Sequence, residues 1–347
     1  MQQSEYKYYN WHELQWQQLW SRAHLPHALL LTGAEGIGKS AFALAVAARL
    51  LCPAATEAGA CGHCESCRWL AAGNHPDICY VMPDNEVDGE TAPAEGDKKK
   101  GRRQIVIGQI RALSDFVFVG AHRGGARVVV INPASAMNPP AANSLLKILE
   151  EPPAGIYFIL VSRSELHVLP TVRSRCSVFK LPKPSAAEAA AWISTNHGVS
   201  AVDVLDFAGG APLLAASLAT DDRGRAIEMM LSAFAKPDAS PTELAGRWEK
   251  TLQGNDESSL RVEDLVVALQ KWLVGLTLLK TAGRQRFLGK FASAAEQLVR
   301  KASASGLLRC YNDLLKIRAL ASHPLNTRLM LEDLAERYLR ALASDRR

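Results

Sequence analysis

Gly33-Ala34-Glu35-Gly36-Ile37-Gly38-Lys39-Ser40 meets the phosphate-loop pattern G-x-x-x-x-G-K-[ST] at every fixed position. Ahead of it runs Ala28-Leu29-Leu30-Leu31, an apolar run of the kind that forms a buried parallel strand. Behind it, Ala41 to Leu51 is rich in Ala and Leu and reads as a helix. Strand, glycine loop and helix are the context the motif needs. Glycines let backbone N–H groups close on phosphate oxygens, and a helix N-terminus adds partial positive charge. Gly33, Gly36 and Gly38 would shape the cradle, Lys39 would reach the β- and γ-phosphates, and Ser40 would face Mg²⁺. ATP or ADP with Mg²⁺ is therefore the expected ligand. The competing reading is a glycine turn that binds nothing; the full match and both flanks favour the phosphate loop.

Further along, Arg127-Val128-Val129-Val130-Ile131-Asn132 is a second buried strand. ATP-hydrolysing phosphate-loop proteins carry Asp here, usually followed by Glu, to hold the metal and polarise the attacking water. This chain has Asn132 and Pro133, so the hydrolytic half of the site is missing. Ile156 to Val161 forms a further central strand, ending at Ser162 and expected to carry the chain to one edge of the sheet. Between these two strands, prolines bracket a compact helix from Asn138 to Pro153. Leu169 to Cys176, containing Ser174-Arg175-Cys176, leads to a short strand, Val178 to Leu181. Taken alone, Arg175 reads as a salt-bridge residue.

Four cysteines follow the loop's helix: Cys52 at its end, then Cys61, Cys64 and Cys67 as C-x₂-C-x₂-C. The N-terminus, Met1 to Lys7, lacks a basic-then-apolar signal pattern, so thiolates are expected rather than disulfides. Such spacing suits a tetrahedral zinc ion with no open position, hence a structural metal. An iron–sulfur cluster is the alternative, and His63 is a competing ligand. Cys79, Cys176 and Cys310 read as small apolar residues.

With 347 residues, 48% apolar, the chain is long enough for two or three domains with their own cores. A net charge of +5 permits nucleic-acid contact without demanding it. No stretch reads as a membrane span; Leu265 to Leu279 comes nearest but contains Lys271. The expectation is a soluble cytoplasmic protein. Trp11, Leu14, Trp16 and Leu19 suggest a short helix packed on the first strand, and Ile107, Ile110, Leu113 and Val117 another. Asp84 to Arg103, with segregated acidic and basic runs, reads as an exposed, mobile loop. After Ser185 only helices are expected. Leu260 to Leu279 and Leu307 to Leu342 have the amphipathic pattern of a bundle.

The phosphate loop, the four-cysteine insertion, the helix ending Glu150-Glu151-Pro152-Pro153 and Ser174-Arg175-Cys176, in this order, resemble the clamp-loader AAA+ proteins of bacterial DNA polymerase III. The resemblance is strong over the first half and weak beyond. It implies a Rossmann-like AAA+ core with zinc module over 1–180, a helical lid over 181–220 and a helical collar over 221–347. It also implies a hetero-pentameric ring that loads a sliding clamp on primed DNA, and an arginine finger, Arg175, acting on a neighbour's ATP. Hydrolysing members carry an Arg early in the lid's sensor helix, where this chain has Gly209-Gly210-Ala211-Pro212-Leu213. With Asn132, this favours a non-hydrolysing subunit over an ATPase motor; a nucleotide kinase would need an acceptor site and a basic lid where the region after 181 offers an apolar helical bundle, and a third rival is a zinc-dependent DNA-binding module. The last lacks a basic recognition helix.

Overall fold

Five short apolar runs build one parallel sheet in a computed structural model that describes residues 6–83, 104–118, 125–198, 204–237, 240–252, 260–320 and 326–343. The strands are β1 (Ala28–Thr32), β2 (Ile78–Val81), β3 (Arg127–Ile131), β4 (Ile156–Ser162) and β5 (Ser177–Lys180), in the order β2-β3-β4-β1-β5. Leu30 lies opposite Leu160 on one side and Val178 on the other. Every residue of β1 and β3 is buried, as expected of strands covered on both faces.

The helices of this part are α1 (Glu13–Trp20), α2 (Lys39–Leu51), α3 (Glu65–Ala71), α4 (Ile107–Phe118), α5 (Pro139–Glu150) and the single turn α6 (Pro170–Arg173). Leu30, Val129, Ile131, Phe158 and Leu160 share one core with α4 and α5. The alternate strand residues face the other way, where α2 packs on β1, β3 and β4. Asn138 starts α5 by accepting the Ala141 N–H at 2.9 Å, and Pro139 and Pro140 occupy its first turn. On α1, Trp16 and Leu19 are buried but Leu14 is 59% exposed. Trp16 on this face meets Tyr8 and, on α2, Phe42.

One expectation is corrected. β4 is a central strand, between β3 and β1, and does not lead to an edge; the edge strands are β2 and β5. Arg175 therefore stands two residues ahead of an edge strand, not after one. The charged segment 84–103 lies outside the described residues.

The chain divides into two compact units, Met1–Pro184 and Ser185–Arg347. Regular structure described in the second is helical throughout: α7 (Ala186–His197), α8 (Pro212–Thr220), α9 (Asp222–Ala235), α10 (Pro241–Leu252), α11 (Val262–Ala282), α12 (Ala292–Lys301), α13 (Ala304–Leu320) and α14 (Thr327–Leu342), with one further 3-10 turn. Ser185 and Glu188 form a capping box that opens α7, and Gly283, at φ 62°, closes α11. Among the described residues of this unit, apolar side chains gather in a small and a larger cluster. Ala189, Ile193, Leu205, Ala208 and Ala215 make a small one around α7 and α8. The larger one draws on α9 to α14 around Phe234, Trp248, Trp272 and Tyr338.

Candidate functional site

The phosphate loop joins the C-terminal end of β1 to α2, so its backbone N–H groups and the α2 N-terminus face the same space beyond the sheet. Gly36 and Gly38 have φ of 73° and 94°, values that side chains resist. Gly38 is also short of room: a Cβ there would sit 2.4 Å from the Tyr9 ring. Tyr9 stacks on Trp11 with ring centroids 4.6 Å apart, and Trp11 Nε1 donates to the Ile37 carbonyl at 2.9 Å. The segment before α1 thus buttresses the loop, a role sequence reasoning missed because aromatic residues near a terminus carry no signal of their target.

Lys39 Nζ donates to the Ala34 carbonyl at 2.6 Å. Burial lowers its pKa to about 8, with Arg163 pushing the same way and Glu35 opposing. Glu35 and Arg163 form an ion pair across the mouth of the loop. Arg163 directly follows β4, and β4 neighbours β1, which brings it to the loop. Only the strand order reveals this contact. Ser40 Oγ accepts a hydrogen bond from Asn132 Nδ2 at 3.0 Å. Ser40, read from sequence as facing Mg²⁺, is thus joined to the amide that stands where hydrolysing proteins carry the metal-holding Asp.

Arg175 lies between α6 and β5. Its guanidinium donates to the Thr171 carbonyl at 3.0 Å and to Ser174 Oγ at 3.2 Å, and pairs with Glu150 at the end of α5. Side-chain exposures of 33% and 48% make this a surface pair. Glu150 as the partner was not foreseen; its place at a helix end before two prolines gave no hint of it.

Cys52, Cys61, Cys64 and Cys67 come together, their sulfurs all within 4.8 Å of one another. The Cys52–Cys64 and Cys61–Cys67 separations are 3.8 and 4.0 Å. Tetrahedral Zn–S bonds of about 2.3 Å imply edges near 3.8 Å, so the set fits a four-thiolate metal. The N–H groups of Cys61, Cys64 and Cys67 each point at the sulfur of another member, at 3.4 Å. Backbone N–H groups of His63 and Cys64 hold the Cys61 thiol down at about 6, while burial raises Cys52 and Cys67. His63 turns its ring to the Cys61 carbonyl and takes no place in the cluster. Behind it, buried Ser66 donates to the Leu51 carbonyl at 2.8 Å and meets His75 Nε2 at 2.7 Å. His75 Nδ1 accepts the Asp77 N–H, tying the module to the lead-in of β2.

With β4 inserted between the strand feeding the phosphate loop and the strand that leads into Asn132, the first unit is a phosphate-loop core of the AAA+ class, followed by a unit whose described regular structure is helical. The family model described as DNA polymerase III, delta subunit, matches residues 12–185, and the chain belongs to that family. The DNA polymerase III subunit delta' of Pseudomonas aeruginosa is 39% identical over 214 residues, 60% of this chain and 61% of that one. The subunit of the same name from Haemophilus influenzae is 28% identical over 314 residues, 88% of each. The chain spans about three fifths of the length of the first curated relatives it matches. A solved structure, a DNA polymerase III gamma subunit-related protein from Thermotoga maritima, is similar at a TM-score of 0.42 and 15% identity, over 96% of this chain and all of that one.

Proposed function

We propose that the chain is the delta'-type stator of a DNA polymerase III clamp loader. In this reading it joins a hetero-pentameric ring in the cytoplasm, helps load the sliding clamp on primed DNA, and hydrolyses no ATP itself. Arg175 acts in trans on a neighbour's nucleotide. The tetracysteine module holds one structural zinc, the phosphate loop takes ATP or ADP, and the helical unit divides at residue 220 into lid and collar.

The observation that carries this is the contrast between two ends of one sheet. Asn132 and Pro133 replace the acidic pair of a hydrolytic site, while a permanently charged, half-buried Arg175 stands at the head of edge strand β5. Its pair with Glu150 does not argue against an outward role. An exposed ion pair is worth about 0.2–1 kcal/mol, and a polyphosphate offers more charge than one carboxylate. Lys should not replace Arg, because an ammonium lacks the planar fork.

The test is DNA- and clamp-stimulated ATPase of the assembled complex carrying Arg175→Ala. Loss of an arginine finger costs about 10³–10⁵ in turnover at the site it serves. Total turnover should fall less, since other sites remain, and clamp loading should fall more. Wild-type assembly, turnover and loading together would refute the reading.

A further inference from the structure

Phosphate loops of this class bind nucleotide with Mg²⁺, held by the loop Ser and by an Asp on the neighbouring strand. In this chain the Asp position is Asn132, and its amide is already committed. Nδ2 donates to Ser40 Oγ at 3.0 Å, which occupies one of the two Oγ lone pairs. It also turns the positive end of an amide dipole toward the place a dication would occupy. Position 133 is Pro and offers no side-chain oxygen. Mg²⁺ demands near-ideal octahedral oxygen geometry and gives up water reluctantly. One hydroxyl, hydrogen-bonded by a neutral amide, does not fit it.

The described residues around the loop supply charge in another form. Lys39 opens α2, and Arg163 sits beyond β4, paired with Glu35 of the loop itself. Two cations and one carboxylate therefore meet at the loop. The Glu35 pair is exposed, at 60% for Arg163 and 45% for Glu35, so a phosphate can draw Arg163 away at small cost. Arg binds phosphate as a planar fork, which a single Lys does not.

We propose that this phosphate loop is a metal-independent site for a nucleoside di- or triphosphate, in which Lys39 and Arg163 supply the positive charge that Mg²⁺ supplies elsewhere. The inference rests on reading Gly33–Ser40 as a nucleotide site and is independent of Arg175.

Calorimetric titration of the purified full chain with ADP and with ATP, in EDTA and in excess MgCl₂, tests it. The expected result is binding in both buffers with dissociation constants within about twofold. Arg163→Ala, a change at an exposed side chain, should weaken binding in EDTA about tenfold, a loss of ~1.4 kcal/mol. Asn132→Asp should make binding tighter in MgCl₂ than in EDTA. Tightening of about tenfold or more by Mg²⁺ in the unaltered chain would overturn the inference and leave the nucleotide site standing. Absence of binding in both buffers would overturn the inference and the nucleotide reading together, and leave the stator role untouched. An Arg163→Ala chain that binds as tightly as the original would remove Arg163 from the site.

Discussion

His12 shows what a single buried side chain does to this core. It is fully buried, with its ring edge-on to Trp11 and Phe42. Nε2 meets the Pro182 carbonyl at 3.3 Å, and Nδ1 is buried without a partner. Protonation would place a donor where nothing accepts it. Burial accordingly lowers the pKa to about 4; the Pro182 carbonyl opposes this and the Lys39 charge adds to it. The ordinary value is 6.5, so between the two the unfolded chain binds more protons than the folded one. Stability should be complete above pH 6.5 and be lost as pH falls toward 4. Thermal midpoints across that window should drop more steeply for the natural chain than for His12→Phe; identical pH profiles would show that His12 does not contribute. Neither the burial of His12 nor its contact with Pro182, 170 positions away, was legible in the sequence. The phosphate-loop residues were, because their roles depend on order along the chain alone.

At the scale of elements, the tetracysteine module is the sharpest case. Its ligands come from the residue after α2, a short loop and the first turn of α3, where Cys64 caps the helix by accepting the Cys67 N–H. Four thiols collected this closely repel as thiolates unless a cation holds them. Elemental analysis of untagged protein should find one zinc per chain. Chelation or Cys64→Ser should lower the thermal midpoint of the first unit without altering Arg175-dependent turnover in the assembled complex. The whole effect should fall below the ~10–16 kcal/mol apparent binding energy of isolated zinc fingers, since a formed sheet already supports this module. Protein free of metal, with its stability indifferent to chelator, would sink the assignment. The cluster could be read from spacing because close sequence neighbours make most of it. The Ser66–His75 tie behind it could not, since Ser and His at that distance have many other uses.

Across the whole molecule, two units each carry a core. In the second, Tyr338 is fully buried, donates to the Phe234 carbonyl at 2.6 Å and accepts from Trp272 Nε1 at 2.9 Å. Burial drives its hydroxyl pKa far upward, so it stays protonated. Tyr338→Phe would leave an indole N–H and a carbonyl buried and unpaired, at about 1–3 kcal/mol each. Scanning calorimetry should show the transition of the helical unit lowered and that of the sheet unit unmoved. A shift of both together would mean that the units melt as one.

By itself the sequence determined the local features: four of the five strands, the loop between β1 and α2, the cysteine set, the missing acids at 132 and 133, and helices after Ser185; β2, only four residues long and half-buried, was missed. Each follows from residues near one another in the chain, where periodicity, turn geometry and ligand spacing act directly. Strand order was decided only in three dimensions. Parallel strands that are apolar on both faces look alike in sequence, so nothing in Ile156 to Val161 tells which strands flank it. That order sets Arg163 against Glu35, joins Asn132 to Ser40, and makes β5 the edge beside Arg175. These contacts span 92 to 128 positions in the first two cases, and the side chains that meet across them carry no mark of each other until the sheet is assembled.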